Sequence, residues 1–394
     1  MNKGDFMSKL RKVLSVILAV LMTASCVVFA SAEETTPVGS KGNFNMLSYN
    51  IAGLPIPSSE TEDGKDAYLD TMEIGAMINA MNYDIVAVQE DFNYDLYLRE
   101  QFTKYDNIVD DDDVVIERHQ TVHSGGIPLG DGLNIFSTFA QFNESRQAWE
   151  VSSGVLVDGS DELTYKGILL TTVEIIDGYY VDIYDIHADA YGGAESLAAR
   201  EAQMKQLAEF IKHRSKFDEE TGVYEHGVIV CGDFNASVCN ENADGEAYVI
   251  ENLLEPARLN DAWAVKTIAS IEEDPADYTA YYEYAVSTDL SYNEALGHYD
   301  SAERICYADG NGLDLSLDSF AYFFMNGVDG ESLSDHPAVE AAFNYKIVEK
   351  SFETGDNDKE NVKEEKSFLL RFLDYIASIF RAIGKLLQDW TNWM

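Results

Sequence analysis

The 394-residue sequence contains few basic residues. Lys and Arg total 27 against 70 Asp and Glu, which gives a formal net charge of −43. Attraction to phosphates supplies most non-specific affinity for nucleic acids, so a chain this acidic is a poor dedicated nucleic-acid binder. Its field instead favours divalent cations. A nuclease that contacts its substrate through a bridging cation is still compatible with this charge.

Cysteine is also scarce, with four residues in the whole chain. Outside the N-terminal segment discussed below, Cys231, Cys239 and Cys306 form an odd set without Cys-x-x-Cys spacing. No disulfide framework or cysteine zinc site is therefore indicated. Cys231 fits a small core residue, and the sequence leaves open whether Cys239 and Cys306 pair.

The first 32 residues have the pattern of a secretory signal. Four basic residues precede the apolar run 13–22, and residues 30–32 have the small-x-small form of a signal-peptidase site. We expect residues 1–32 to be removed and the protein to be secreted. A lipoprotein site at Cys26 is the alternative, although the residues before it lack the usual aliphatic side chain. Without this segment 23 basic and 69 acidic residues are left, a net charge of −46.

The segment 228–235 is an apolar run that ends in polar side chains. Its unbroken β-prone residues indicate a strand buried on both faces, and Gly232 allows the backbone to pass close to a neighbour. Asp233 and Asn235 are two residues apart, so on an extended backbone they would point to the same side. Such a pair can hold a water molecule and a phosphate oxygen, although Asp and Asn also form ordinary turns after strands.

Three other predicted strands end in the same way. They are 44–51, 84–90 and 180–187, which end at or beside Asn50, Glu90 and His187. Taken singly, each side chain is more often structural or solvated than catalytic. Ligands of α/β folds bind at the carboxyl ends of strands, so together they predict one site.

The remaining pattern predicts one large α/β domain over residues 43–346. Helices are indicated at 68–81 and 194–212, and the last strands at 304–308, 315–324 and 338–343. Residues 347–365 have the composition of an acidic linker. Residues 366–394 form a predicted amphipathic helix, which we interpret first as an in-plane membrane anchor and alternatively as a helix docked on its own domain or on a partner.

The ordered polar set resembles that of the endonuclease/exonuclease/phosphatase superfamily, the DNase I-like proteins. The set comprises Asn50, Glu90, His187, Asp233 with Asn235, and Asp335 with His336. The resemblance covers about residues 44–343. It implies an α/β fold, the four-layer DNase I-like sandwich of two packed β-sheets flanked by helices, and a divalent-metal phosphoesterase.

Within that resemblance, Glu90 and Asn50 are the expected metal ligands. Their hard oxygen atoms suit Mg²⁺, Mn²⁺ or Ca²⁺ better than zinc. The cation would neutralise phosphate charge and assist the leaving oxygen.

The same resemblance gives roles to five further residues. His336 is the expected general base for in-line attack by water, and Asp233 would help to orient that water. Asn235 would contact a phosphate oxygen, and His187 would donate hydrogen bonds to the transition state or the leaving group. Asp335 would orient a histidine or assist the metal.

Two further stretches resemble secreted bacterial sphingomyelinases. Asp161 and Lys166, followed by Gly167, are similar to their substrate loop, so we expect these two side chains to bind substrate. Residues 200–204 are similar to part of a helix in those proteins. A member with another phosphoester substrate would look much the same.

The chain departs from the superfamily pattern at residues 304–307. Many members have Arg-Ile-Asp-Tyr there, and the aspartate pairs with the base histidine, whereas this chain has Cys306. A thiol is a poor substitute for a carboxylate. Asp300, Glu303 or Asp314 would have to replace it, or activity would be weak or its pH optimum shifted.

Three functions are compatible with the sequence. The first is a secreted phospholipid phosphodiesterase with a possible peripheral membrane contact through residues 366–394. The second is a secreted nuclease, which the shortage of basic residues disfavours. The third is a non-enzymatic surface protein on the same fold, which retention of the whole polar set disfavours.

Overall fold

Unbroken apolar runs form the centre of two β-sheets in the computed structural model. The structure describes residues 36–54, 67–92, 94–105, 130–153, 164, 166–236, 248–268 and 302–352, all within the unit Thr36–Phe352. The predictions for residues 1–32 and 366–394 lie outside these residues, as does most of the predicted linker 347–365.

The first sheet has five strands. In spatial order they are β10 (Leu313–Phe323), β11 (Ala338–Ile347), β1 (Lys41–Asn50), β2 (Ile85–Gln89) and β3 (Asn134–Ser137). Only β1 and β2 pair in parallel, and the other neighbours are antiparallel.

The second sheet has six strands. In spatial order they are β4 (Gln141–Ala148), β5 (Gly167–Ile176), β6 (Tyr179–His187), β7 (Gly227–Asp233), β9 (Glu303–Ala308) and β8 (Asn260–Asp261). Here β6 and β7 pair in parallel and the others are antiparallel. We call the end of the sandwich where β1, β2, β6 and β7 finish its carboxyl end, and the opposite end its amino end.

Within the described residues, four α-helices and one π-helical turn accompany the sheets. The α-helices are α1 (Ala67–Met81), α2 (Asp95–Arg99), α3 (Ala194–Arg214) and α4 (Ala262–Ile268), and the π-helical turn is Ile250–Leu254. Because β1 and β2 are parallel, α1 must return the chain from the carboxyl end to the amino end. Among the described helices, none is both long and apolar enough to cross a membrane.

Three apolar cores separate four layers. The central core fills the space between the sheets, with side chains such as Met46, Ile183 and Ile229. A second core packs α1 on the first sheet, and a third packs α3 on the second. The predicted α/β sandwich is therefore confirmed, as are the strands predicted from buried runs. The sequence did not indicate β4, because Gln141–Ala148 is mostly polar, half exposed and interrupted by a bulge.

A buried ion pair lies at the amino end. Asp182 on β6 is 2% exposed and accepts hydrogen bonds from Thr172 (2.6 Å) and Ser215 (2.7 Å). Nδ1 of His226 lies 3.1 Å from an Asp182 oxygen. Burial opposes both charges, yet Asp182 raises the pKa of His226, and His226 lowers the pKa of Asp182.

We expect this pair to make stability depend on pH. The folded-state pKa of His226 is raised, so its contribution is complete below the ordinary value of 6.5 and is lost as the pH rises through the folded pKa. The pKa of Asp182 is lowered, so its contribution is present above the ordinary value of 3.8 and is lost as the pH falls. The stabilisation is therefore greatest between these two values.

Asp182→Asn should lower the free energy of unfolding near pH 5 by about 2 kcal/mol. This is less than the loss for a fully buried pair, because the His226 side chain is 28% exposed. Urea denaturation at pH 5 and pH 9 measures the change, which should be smaller at pH 9. Asp314→Asn, at an exposed position on β10, is the control. Equal destabilisation by Asp182→Asn at both pH values would contradict the ion-pair account.

Candidate active site

Asn50 joins the two sheets at the carboxyl end of the sandwich. It is fully buried at the end of β1. Its Nδ2 donates to Oε1 of Glu90, directly after β2, and to Oδ2 of Asp233, the last residue of β7, at 3.1 Å in each case. Its Oδ1 accepts a hydrogen bond from the Ala52 backbone N–H at 3.1 Å. The carboxylates of Glu90 and Asp233, which follow strands of different sheets, therefore both accept hydrogen bonds from the Asn50 amide.

Two residues of the site, Glu90 and Asn235, have an uncommon backbone conformation. Glu90 has φ 58° and Asn235 has φ 49°, in the left-handed region that few non-glycine residues adopt. Gly232 has φ 129°, and a Cβ there would lie 2.0 Å from the Ile186 carbonyl oxygen. Only glycine permits β6 and β7 to approach this closely, which sets the distance between the residues that follow on each strand.

His187 lies beside both carboxylates. It is the last residue of β6 and is 1% exposed. Its Nε2 lies 3.4 Å from Oδ2 of Asp233 and 3.9 Å from Oε1 of Glu90. The parallel pairing of β6 and β7 explains the contact, because His187 and Asp233 are partners in register.

His336 is held by the loop before β11. Its backbone N–H donates to Oγ of Ser334 at 3.2 Å, and that hydroxyl donates to the Asn50 carbonyl at 2.7 Å. Nδ1 of His336 lies 2.5 Å from Oε1 of Glu303 and 3.9 Å from Oδ2 of Asp233. The histidine is therefore oriented by Glu303, the first residue of β9.

Glu303 provides the carboxylate partner that Cys306 does not supply. Cys306, three positions later, is fully buried in the core under α3, where Asp261 and Arg304 act on it electrostatically. The absence of an aspartate at position 306 therefore does not leave His336 without a carboxylate partner. Of the three replacements that the sequence left open, the structure places Glu303 against the histidine, while Asp314 is exposed on β10 and Asp300 lies outside the described residues.

The other predicted site residues take different positions. The Asp335 side chain is 50% exposed, with Oδ1 3.8 Å from Nε2 of His336. Asn235 donates from Nδ2 to the Ala188 carbonyl at 3.1 Å, and its backbone N–H donates to Asp233 at 2.8 Å. Lys166 is close enough for its charge to act on both Glu90 and Asp233. Asp161 lies outside the described residues.

Comparison with known proteins relates this geometry to a family. No protein-family model matches the chain. The sphingomyelinases of Mycobacterium bovis and Mycobacterium tuberculosis strain H37Rv are each 30% identical to it over 329 residues, which is 82% of this chain and 56% of each relative. The chain thus spans little more than half the length of these relatives.

Two solved structures are similar to the chain in fold. A humanized Danio rerio TDP2 superimposes with a TM-score of 0.50 at 15% identity, covering 76% of this chain and 98% of that one. Sphingomyelinase C from Streptomyces griseocarneus gives 0.48 at 15% identity, covering 76% and 99%. The chain is similar in sequence to the mycobacterial sphingomyelinases and has a DNase I-like fold. The resemblance noted in the sequence is confirmed.

Burial and charge shift the pKa values in the site of this DNase I-like chain. Burial raises the pKa of Glu90, although Lys166 opposes the change. Burial also acts on Asp233, but His336, His187 and Lys166 together hold its pKa below the ordinary value. Burial disfavours charge on His336, but the hydrogen bond with Glu303 and the nearby carboxylates raise its pKa to about 10. The site therefore concentrates negative charge that a cation can balance.

The residues present fit a divalent cation. Ligand atoms of Asp233, Glu303 and His336 lie within 4.8 Å of one another, and the Glu90 carboxylate shares Asn50 with Asp233. Carboxylate oxygens are the donors that Mg²⁺, Mn²⁺ and Ca²⁺ prefer. Asn50 presents its nitrogen to the carboxylates, so its oxygen would bind a cation only after the amide rotates. The prediction that Glu90 and Asn50 are the ligands stays a prediction.

Gln89, Asp185 and Ser48 form a buried polar layer next to the cluster. Gln89, next to Glu90, donates from Nε2 to Oδ1 of Asp185 at 2.6 Å and to Oγ of Ser48 at 3.3 Å. Gln89 belongs to the first sheet and Asp185 to the second, so this bond is a second link between the sheets. Burial raises the pKa of Asp185 well above its ordinary value. The bond between Gln89 and Asp185 therefore helps to fix the separation of the two sheets beside the cluster.

Proposed function

We propose that the protein is a secreted, divalent-metal-dependent phosphodiesterase that hydrolyses a phospholipid of the sphingomyelin type. One observation carries the proposal: Asn50, Glu90, His187, Asp233 and His336 converge from both sheets on a single cluster. Sequence identity of 30% with curated sphingomyelinases supports the substrate class. The signal pattern in residues 1–32 supports secretion.

His336 would activate the attacking water. Glu303 holds Nδ1, so Nε2 is the nitrogen that takes the proton from water. Because the carboxylates raise the pKa of His336 to about 10, positive charge brought to the cluster would lower it towards the working pH. Asp233 would help to orient the water.

Three further side chains would bind the phosphate group. His187 would donate a hydrogen bond to the transition state or the leaving oxygen. Asn235 and Lys166 would contact phosphate oxygens, since both lie near Asp233 at the carboxyl end. Asp335 would orient His336 from the exposed side, and Asp161 would complete the substrate loop with Lys166.

Glu90 and Asp233, with Asn50 after rotation of its amide, would hold Mg²⁺ or alternatively Mn²⁺ or Ca²⁺. When bound, such an ion neutralises phosphate charge and stabilises the leaving oxygen. An in-plane membrane contact through residues 366–394 is a further part of the proposal, supported by their amphipathic pattern.

Glu90→Ala should lower hydrolysis of sphingomyelin by about 100-fold or more. A bound metal ion stabilises the transition state by several kcal/mol, and each 1.4 kcal/mol corresponds to about a tenfold change in rate. Release of phosphocholine from vesicles in the presence of Mg²⁺ measures the effect. Glu100→Ala, at an exposed position after α2, is the matched control. EDTA should abolish the activity of both the parent protein and the control.

The same protein preparation should also be assayed for cleavage of plasmid DNA, because the fold alone does not determine the substrate. Release of phosphocholine without DNA cleavage supports the proposal. Cleavage of DNA alone would leave the proposed active site in place but would show that the substrate is DNA rather than a phospholipid. A metal-loaded protein that is inert on every phospholipid would refute the proposed function.

A further inference from the structure

The loop that follows His187 is held in place through its backbone. The His187 carbonyl accepts a hydrogen bond from Nε1 of the buried Trp149 at 2.7 Å. One residue later, the Ala188 backbone N–H donates to the Asp233 carbonyl at 2.8 Å. Irregular loops are ordinarily more mobile than the strands that they follow. These bonds instead fix the loop at the point where it leaves the site.

Two buried side chains of α3 hold the rest of this loop, and we call them the α3 clamp. Arg200 donates from Nη1 to the carbonyls of Asp189 at 3.0 Å and Tyr191 at 2.5 Å. Oε1 of Gln203 accepts a hydrogen bond from the Asp189 backbone N–H at 2.9 Å. Nε2 of Gln203 donates to the Val151 carbonyl, also at 2.9 Å. The clamp therefore joins the loop both to α3 and to the segment after β4.

The loop is held against two unfavourable effects. Tyr191 has φ 68°, in the left-handed region that residues other than glycine seldom adopt. Arg200 is 2% exposed, and burial of a guanidinium is unfavourable unless its donors are hydrogen-bonded. A conformation that is maintained against such effects is typical of functional sites rather than of simple connections between a strand and a helix.

The Ala188 carbonyl connects the clamped loop to the site. It accepts a hydrogen bond from Nδ2 of Asn235 at 3.1 Å. An amide nitrogen carries two hydrogens in one plane, so the hydrogen that is bonded to Ala188 sets the direction of the other. The backbone of Asn235 is fixed separately, because its N–H donates to the Asp233 carboxylate at 2.8 Å. The position of one loop carbonyl therefore determines where the second amide hydrogen points.

We propose that Arg200 and Gln203 are positioning residues for phosphate binding, because they fix the loop whose Ala188 carbonyl orients the Asn235 amide towards the phosphate group. This inference rests on the proposed function, in which Asn235 contacts a phosphate oxygen. Both clamp residues act through Ala188 and not by contact with the substrate. Misplacement of a positioned group by about 1 Å can cost about 100-fold in rate, so loss of the clamp has a measurable effect.

A double-mutant cycle on the full-length protein tests the proposal, with bis(p-nitrophenyl) phosphate as a soluble substrate and Mg²⁺ present. Gln203→Met keeps a side chain of similar length but removes both hydrogen bonds, and it should lower kcat/KM by about 10- to 100-fold. In a protein that already carries Asn235→Gly, the same change should lower kcat/KM by less than about twofold, because the positioned group is gone. Glycine is used because position 235 has φ 49°.

Gln206→Met is the matched control on the same helix. Gln206 accepts a hydrogen bond from the Glu150 backbone N–H at 2.9 Å and donates to the Ala148 carbonyl at 3.1 Å. These bonds hold the end of β4 and the residues after it, as one bond of Gln203 does, but they do not hold the loop after His187. Gln206→Met should leave kcat/KM unchanged in both backgrounds. Thermal unfolding identifies any variant that fails to fold.

Binding of inorganic phosphate in Mg²⁺, measured by isothermal titration calorimetry, gives a second cycle that does not depend on turnover. Gln203→Met should raise the dissociation constant about tenfold in the parent protein and leave it unchanged in the Asn235→Gly protein. Arg200→Lys retains the charge but loses the planar fork, so it should give the same pattern in both cycles. The acidic limb of the pH–rate profile, which His336 governs, should not move.

A loss that is confined to proteins with Asn235 supports the positioning role. Equal losses in both backgrounds would show that the clamp only stabilises the fold and would overturn the proposal. Unchanged kcat/KM and phosphate binding in both clamp variants would also overturn it. A protein that shows the expected pattern with the soluble ester or with phosphate, but cleaves no phospholipid, would refute the proposed function and leave the positioning role in place.

Discussion

His336→Ala should reduce phosphodiester hydrolysis by about 10²–10⁴-fold, the usual contribution of general acid–base catalysis. The imidazole is the group positioned to take the proton from water, and Glu303 fixes its orientation. Steady-state kcat/KM for a soluble phosphodiester measures the loss. Because the soluble ester does not depend on a lipid surface, the result reports the chemical step.

His213→Ala is the control for this experiment. His213 lies in the last turn of α3, is exposed, and belongs to no part of the site. It should retain full activity. A His336→Ala variant that keeps more than a tenth of the parent rate would exclude His336 as the general base and leave His187 as the candidate.

Glu303→Gln should lower kcat/KM by about 10²–10⁴-fold, by analogy with removal of the carboxylate that orients a catalytic histidine. A glutamine side chain can present either its oxygen or its nitrogen to Nδ1, so it no longer fixes the tautomer. It also removes a negative charge that raises the pKa of His336. The general base must be deprotonated, so the acidic limb of the pH–rate profile should move to lower pH while the maximum rate falls.

Glu340→Gln is the matched control for Glu303→Gln. Glu340 is a partly buried glutamate on β11 that accepts a hydrogen bond from the Tyr83 hydroxyl at 2.6 Å. Its replacement should leave the pH–rate profile in place. If Glu303→Gln lowers the rate without moving the acidic limb, the effect of Glu303 on the pKa of His336 is not what supports catalysis.

Much of this site could be predicted because parallel, doubly buried strands have a distinct sequence pattern. Their unbroken apolar runs stop abruptly at the carboxyl end, so Asn50, Glu90, His187 and Asp233 are visible as the first polar groups. The contacts between Asn50 and the two carboxylates follow from this position. The orientation of the Asn50 amide could not be predicted in this way. The Ala52 backbone N–H binds the amide oxygen, and this leaves the amide nitrogen facing the carboxylates.

Glu303 shows why the partner of His336 could not be chosen from the sequence. Three acidic residues near the predicted strand were equivalent in the sequence pattern, and only the start of β9 at Glu303 decides which one reaches the histidine. Alignment to a motif favoured position 306, but that residue points into the core under α3. The polar edge strand β4 was also not predicted. It forms a strand because it pairs with β5, and its sequence has no buried apolar run that would indicate one.

The contact between Ser334 and Asn50 joins the loop before β11 to the end of β1, across 284 positions of sequence. The reacting groups therefore come together only when the chain from β1 to β11 is complete. Because β11 pairs with β1 over Lys41 to Ser48, the site closes in the same step that completes the first sheet. A chain still being synthesised carries every catalytic side chain but the last, and it would remain inert until the domain is finished.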